Sequence, residues 1–360
     1  MASCPIELER NGPTVGMSFT GEQAEKLFQR YLNKKVNWFE SGECGLNNLL
    51  FFVECENDQD KYVLKICGRS WKKIKTESEV AAMNIVHKYT QIPLPKLVAY
   101  SSDNNNEFGV EWIIMTRCFG KSLRSSSKTN DIWPNLSIDQ QKSIINQLVE
   151  YISQFHNSIP RSNNIGNYKI NGEIGPDNNN MGPWNNYQDF FNDRLKLQIS
   201  TLNHEKVFEP IRDDLMKSIK EFENLNIPSF DYIPNVFTHN DLGVQNIIIS
   251  DDNKITGIID WEWSGSYPIC EEYFHSYKPI IYNNQLKNYL YDQLEQHNVP
   301  TPRTIQNFSI LQKMSDFIQS ISPWYLTDLV DPEHPTVEKE LFKYRDKVKI
   351  LVQQIREELK

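Results

Sequence analysis

Apolar positions first fall into a helical rhythm over residues 18–34, where Ala24, Leu27, Phe28 and Leu32 recur three and four apart. Thr20 and Gln23 stand ahead of them at the spacing of a capping box, which predicts where that helix starts. The pattern then turns to strands. Leu49–Glu54 and Tyr62–Cys67, rich in β-branched and aromatic residues, flank the polar turn Asn57-Asp58-Gln59-Asp60 and predict a hairpin. A helix follows over Glu77–Tyr89, then a strand pair, Val98–Tyr100 and Val110–Met115, around the turn Asp103-Asn104-Asn105-Asn106. The expected order is β, β, α, β, β.

Beyond Gly120 helix dominates. Ser137–Phe155 is a long helix capped at Ser137 with Gln140, with Ile145, Leu148, Ile152 and Phe155 on one face. Ser162–Asn186 is Asn- and Gly-rich, a loop of a length that is either functional or poorly ordered. Val236–Thr238 and the pair Asn246–Ser250 and Ile255–Ile259, joined by Asp251-Asp252-Asn253, are strands again. Helices then run to Lys360, the last over Val337–Leu359. No repeat and no sustained heptad pattern interrupts this order.

Composition narrows the possibilities. A chain of 360 residues with 39% hydrophobic and 12% aromatic side chains has enough apolar material for a folded core, at about two domains by length. The formal charge of −9 disfavours nucleic acid and anionic membrane surfaces as partners and suits a neutral or cationic small molecule. No stretch approaches the roughly 18 apolar residues of a membrane span. Glu7, Glu9 and Arg10 stand where a secretory signal has its apolar core, so the expected compartment is the cytoplasm. Six scattered cysteines, with no Cys-x-x-Cys pair, read as free thiols.

The chemistry concentrates in Thr238-His239-Asn240-Asp241-Leu242-Gly243-Val244-Gln245-Asn246, followed by Gly257-Ile258-Ile259-Asp260-Trp261-Glu262. A hairpin brings Asp241, Asn246 and Asp260 together. Phosphoryl transfer needs such a set: a carboxylate to orient and deprotonate an attacking hydroxyl, and an amide oxygen with a second carboxylate to hold magnesium on the phosphates. Each residue alone is an ordinary turn former, but the order His, Asp, Asn, Asp between apolar strands points to function. His239 is expected to hydrogen-bond the loop backbone, since Asp241 already fills the base role.

A cation for the nucleotide phosphates is available in Lys65, within Tyr62-Val63-Leu64-Lys65-Ile66-Cys67, unless that lysine merely lines an edge strand. Glu79 is its expected partner, with Glu77 in reserve, although Thr76 and Glu79 also have capping-box spacing. Gly42 and Gly45, in Ser41-Gly42-Glu43-Cys44-Gly45-Leu46-Asn47-Asn48, offer an abbreviated phosphate-covering loop, and Cys44 on it is a candidate reactive thiol.

These residues resemble the aminoglycoside phosphotransferase and choline kinase group of the protein-kinase-like superfamily. The resemblance runs from the Lys65 strand through Glu79 and Ile92-Pro93-Leu94-Pro95 to Ile114-Met115-Thr116-Arg117-Cys118-Phe119-Gly120, which is similar to the family's hinge. Ile258-Ile259-Asp260-Trp261-Glu262-Trp263-Ser264-Gly265, Glu272-Tyr273 and Gly182-Pro183-Trp184 are most similar to fungal-type phosphotransferase-domain proteins. The resemblance implies an α+β, bilobal kinase-like fold, with a β-rich nucleotide-binding lobe over residues 1–118 and a mainly helical lobe over 119–360. It implies ATP and magnesium as cofactors, Asp241 as base, Asn246 and Asp260 as metal ligands, Lys65 on phosphate, Glu79 orienting Lys65, and the backbone of Thr116 to Cys118 at adenine.

Two features depart from the family pattern: Thr116 stands where an acidic residue is common, and the glycine loop is short. A protein kinase is disfavoured by Asn240 between His and Asp and by the absence of Ala-Pro-Glu after Asp260. A choline- or ethanolamine-type kinase and a catalytically silent nucleotide-binding scaffold remain as alternatives. Glu262, Glu271 and Glu272 either face an amine-bearing acceptor or simply begin a helix, where the dipole favours glutamate.

Overall fold

The computed structural model describes residues 12–42, 47–124, 131–328 and 335–360. Among these the strands are β1 (Val36–Ser41), β2 (Asn48–Cys55), β3 (Lys61–Cys67), β4 (Leu97–Ser101), β5 (Trp112–Thr116), β6 (Lys121–Ser122), β7 (Gly166–Tyr168), β8 (Ile174–Gly175), β9 (Asn235–Thr238), β10 (Ile247–Ile249), β11 (Ile255–Ile258) and β12 (Gly265–Pro268). The α-helices are α1 (Gly21–Leu32), α2 (Ile74–Tyr89), α3 (Ile138–Asn157), α4 (Tyr187–His204), α5 (Arg212–Glu223), α6 (Ile269–His275), α7 (Asn284–Gln296), α8 (Phe308–Ile321), α9 (Trp324–Asp328) and α10 (Pro335–Glu358). By internal contacts the chain divides into two compact units. One comprises residues 13–183 and 235–301, and the other chiefly 184–234 and 302–360.

The first unit carries an antiparallel sheet in the order β1-β2-β3-β5-β4. The expected hairpins β2–β3 and β4–β5 form, and β1, absent from the expected order, adds an edge strand. The end of the small lobe expected at residue 118 falls inside this unit, just past β5. Helix α1 starts as its capping box dictates, with Gln23 N–H donating to Thr20 Oγ1 at 3.2 Å and Thr20 N–H to Gln23 Oε1 at 2.8 Å. It packs Ala24, Leu27 and Phe28 into a core with Val53, Tyr62, Leu64, Ile66, Trp112 and Ile114. Because strand side chains alternate between faces, burying Leu64 and Ile66 here sends Lys65 to the opposite face.

The same unit holds two smaller sheets, β11-β10-β6 and β8-β7-β12-β9. Helix α3 is capped by Ser137 and Gln140 as expected and buries Ile145, Leu148, Ile152 and Phe155. The stretch 162–186 is not wholly loop: it contributes β7 and β8, and β12 pairs with both β7 and β9. In the second unit α10 packs on α8 and α5, around a Phe222–Phe317 ring stack with centroids 4.3 Å apart. No helix among the described residues is long and apolar enough to cross a membrane.

Candidate active site

Lys65 lies on β3, an interior strand of its sheet, and is only 3% exposed, which removes the edge-strand reading. Its ammonium donates to both Glu79 oxygens at 2.8 Å, to Asp260 Oδ1 at 3.0 Å and to Glu262 Oε2 at 3.3 Å. Burial works against its charge, yet Asp260, Glu79 and Glu262 together hold the lysine pKa well above its ordinary value. Burial pushes the Glu79 carboxyl up to about 7 against the pull of Lys65. Glu79 is not a helix cap, since α2 begins earlier, at Ile74. Thr76 Oγ1 instead donates to Glu111 Oε2 at 2.6 Å, and the reserve residue Glu77 accepts from Ser102 Oγ.

The loop between β9 and β10 carries Asp241 and Asn246. Asn246 Nδ2 donates to the Asp241 carbonyl at 2.8 Å and to Asp241 Oδ2 at 3.0 Å, which leaves the Asn246 amide oxygen directed elsewhere. Burial, with Asp260 and Glu262 adding to it, raises the Asp241 carboxyl to about 6. Asp260 follows β11 in the left-handed region, φ 65°, which Asp tolerates better than most side chains. Its pKa is raised by burial and Glu262, and Lys65 opposes the shift.

His239 is buried and neutral, its pKa lowered by burial to about 4. Its Nε2 lies 3.1 Å from the Ile259 carbonyl, so the ring binds backbone and places the β11 end beside the loop.

The acceptor-facing expectation for three glutamates is corrected by burial. Glu262 is 1% exposed and its oxygens are taken by Asn47, Asn48 and Lys65, so it belongs to the lysine network; burial opposes its charge, but Lys65 and Lys75 draw its pKa down to about 2. Glu272 is also 1% exposed. It accepts the backbone N–H groups of His239 at 2.6 Å and Asn240 at 3.2 Å, and Ser276 Oγ accepts that of Leu242 at 2.9 Å. Helix α6 and the residue after it thus anchor the loop carrying Asp241. Glu271 is buried 3.6 Å from His275 Nε2 on the same helix. The helix-start reading accounts for the position of these last two, and the donors of the Asp241 loop account for the burial of Glu272.

Gly42 closes the β1–β2 hairpin with its N–H on the Leu50 carbonyl at 2.8 Å. Gly45 and Cys44 lie outside the described residues. Thr116 ends β5 with its N–H on the Lys96 carbonyl and its hydroxyl accepting from Lys96 N–H, both at 2.9 Å. Cys118 packs so close to β11 that a Cβ on Gly257 would meet its sulfur at 2.4 Å, and burial pushes its thiol up to about 11. Residues that sequence reasoning passed over are Asn47, Asn48, Lys75 and Asn178, which surround Glu262. Paired asparagines in a polar stretch look like turn formers, so no local signal marks them.

A model of the phosphotransferase enzyme family, abbreviated APH, matches residues 43–289, which span the lysine strand, the Asp241 loop and Asp260. The chain belongs to this phosphotransferase family. Its α+β fold is that of solved members. An apo thermostable mutant of aminoglycoside phosphotransferase APH(4)-Ia superposes with a TM-score of 0.55 at 13% identity, over 92% of this chain and 98% of that one. Macrolide 2'-phosphotransferase type I gives 0.56 at 13% identity over the same shares. Another APH(4)-Ia structure is a ternary complex with AMP-PNP and hygromycin B. A subtelomeric hrmA-associated cluster protein of Aspergillus fumigatus is 37% identical over 75 residues, which is 21% of this chain and 14% of that protein. The chain thus matches only a small part of that relative's length.

Proposed function

We propose that this phosphotransferase is an ATP-dependent small-molecule kinase that transfers the γ-phosphoryl group to an acceptor hydroxyl. The observation that carries this reading is one buried lysine held by Glu79 and Asp260, beside a carboxylate that Asn246 clamps. Lys65 would sit on the nucleotide phosphates with Glu79 orienting it, and the backbone of Thr116 to Cys118 would receive adenine. Gly42 and Gly45 belong to the segment that would cover the phosphates. The nucleotide analogue in the APH(4)-Ia complex supports ATP as donor.

The donor set fits magnesium. Asn246 Oδ1 and Asp260 are hard oxygen ligands, and magnesium is usually held by one or two carboxylates with substrate phosphates completing its shell. Among the described residues no cluster of three or more His, Cys, Asp or Glu side chains offers a self-sufficient metal cage. When bound, the ion supplies charge neutralisation on the phosphates. Asp241 orients the acceptor hydroxyl and takes its proton as the oxygen bonds to the γ-phosphorus and the bond from that phosphorus to the bridging oxygen breaks, releasing ADP. Its carboxyl, at about 6, is largely ionised at neutral pH and able to do so.

The acceptor class is proposed from the acidic chain and from relatives whose substrates are antibiotics: a hydroxyl compound that carries an amine. The test is acceptor-dependent ATP consumption with magnesium across aminoglycosides, choline, ethanolamine, homoserine and sugars. Asp241→Ala should lower turnover about a hundredfold to ten-thousandfold while binding nucleotide as the parent does. Turnover retained in that variant overturns the assignment. A parent that binds ATP and turns over nothing supports the scaffold alternative.

A further inference from the structure

Phosphoryl transfer as proposed uses Lys65, Glu79 and Asp260, and leaves a second buried ion pair without a role. Lys75, on the first turn of α2, is 1% exposed, and its ammonium lies 3.7 Å from Glu262 Oε2. It donates to Asn48 Oδ1 at 3.0 Å and approaches the Asn47 carbonyl at 3.4 Å. Asn47 Nδ2 donates to Glu262 Oε1 and Asn48 Nδ2 to Oε2, each at 2.8 Å. The Glu262 carbonyl accepts from Asn178 Nδ2 at 3.0 Å. Asn178 Oδ1 in turn accepts from Asn167 Nδ2 at 2.9 Å and Ser78 Oγ at 3.4 Å.

A carboxylate can accept about four hydrogen bonds, and here donors from the start of β2 and from β3 converge on one, with the Lys75 ammonium of α2 adding its charge at 3.7 Å. The main chain of the same residue takes the Asn-rich stretch. Residues 47 and 48 end the segment expected to cover phosphate and lead into β2, and Asp260 lies two residues before Glu262. Moving any one of these segments strands buried polar groups on the others, which is costly in a dry interior.

We infer that Glu262 is a positioning residue: with Lys75, Asn47, Asn48 and Asn178 it forms a buried latch that keeps the start of β2 and Lys65 aligned with Asp260, so that nucleotide meets a preassembled face. This deepens the proposed function and rests on its nucleotide reading. Glu262 does its work without touching substrate. It also gives the Asn-rich stretch 162–186 a task, since Asn178 brings that stretch to the metal-binding segment.

The experiment is MgADP titration by calorimetry of the parent, Glu262→Gln, Lys75→Met and the double variant, with amide hydrogen exchange at Asn47 and Asn48. Each single change should raise Kd about tenfold or more, the scale on which supporting partners of a binding site act. The double variant should be no worse than the poorer single, because both remove one device. Exchange at Asn47 and Asn48 should accelerate. Phe317→Leu, a core change in the other unit, should leave Kd unchanged and so separates positioning from general destabilisation.

Kd for folded Glu262→Gln within a factor of two of the parent, or single effects that multiply in the double, overturns the inference. If Glu262→Gln does not fold, Asn48→Ala and Asn178→Ala are read in the same way, and unchanged Kd in both overturns it. A parent that binds no MgADP overturns the nucleotide reading and this inference with it. Hydrogen exchange tells that failure apart, since it reads the latch with no nucleotide present.

Discussion

Glu272 allows hydrogen bonding and buried charge to be separated in one residue. Its Oε2 accepts from His239 N–H and Asn240 N–H, and Asn240 is held in the left-handed region at φ 60° immediately before Asp241. Burial pushes its pKa from the ordinary 4.5 up to about 7 despite those two donors and the Ser276 hydroxyl. The folded pKa is above the unfolded one, so the carboxyl's contribution to stability is fully present below about pH 4.5 and is lost as pH rises through about 7. Glutamine mimics the protonated form and can place its amide oxygen on the same two donors.

Glu272→Gln should therefore gain on the parent by about 2–3 kcal/mol between pH 5 and pH 8, from the linkage of that shift. Glu272→Ala orphans two buried N–H groups at about 1–3 kcal/mol each, so at pH 5, where the parent's carboxyl is neutral, it should be less stable by about 2–6 kcal/mol. Displacing the loop by even about 1 Å costs on the order of a hundredfold in rate, so the Ala variant should lose turnover while the Gln variant keeps most of it. Urea unfolding at the two pH values and acceptor-dependent turnover check both. A stability difference between Gln and parent that does not change with pH refutes the buried-charge argument. An Ala variant as stable and active as Gln refutes the anchoring.

Asp260→Ala should weaken magnesium-dependent nucleotide binding about tenfold or more as well as turnover, and magnesium titrations superimposable on the parent's would count against its role as a ligand. His156 is buried and held neutral, its pKa lowered by burial and Arg161 to about 3. The unfolded chain takes up this proton below about 6.5 and the folded one does not, so this residue should cost about 2 kcal/mol of stability between pH 7 and pH 5. His156→Gln should remove that part of the pH slope, and an unchanged slope refutes the assignment. Phe222→Ala breaks the stack on Phe317 and should cost about 3–5 kcal/mol without altering MgADP binding, checked by urea unfolding and calorimetry.

Local signals in the chain are enough for the elements that build the site. The capping boxes at Thr20 and Ser137 start α1 and α3 where their spacing predicts, because the side chains and N–H groups involved lie within one turn of each other. The β2–β3 and β10–β11 hairpins follow from apolar runs around polar turns, and the proposed chemistry is read from the order His239, Asp241, Asn246, Asp260 along the chain. Tertiary structure alone decided β1 and β12. These strands carry weak patterns, and the pairing of β12 with β9 joins residues such as Ser266 and Phe237 across an intervening loop and hairpin.

It also decided what the charged residues do. A lysine on a strand is legible as a lysine, but that Lys65 is enclosed with Glu79 depends on a helix packed over the sheet. Glu262 and Glu272 look in sequence like solvated acids near a helix start. Their burial depends on donors brought from far away, Asn47 and Asn48 for the one and the His239 loop for the other. Burying a charge costs less where distant segments supply its partners, and that is a property of the assembled fold rather than of any stretch of chain.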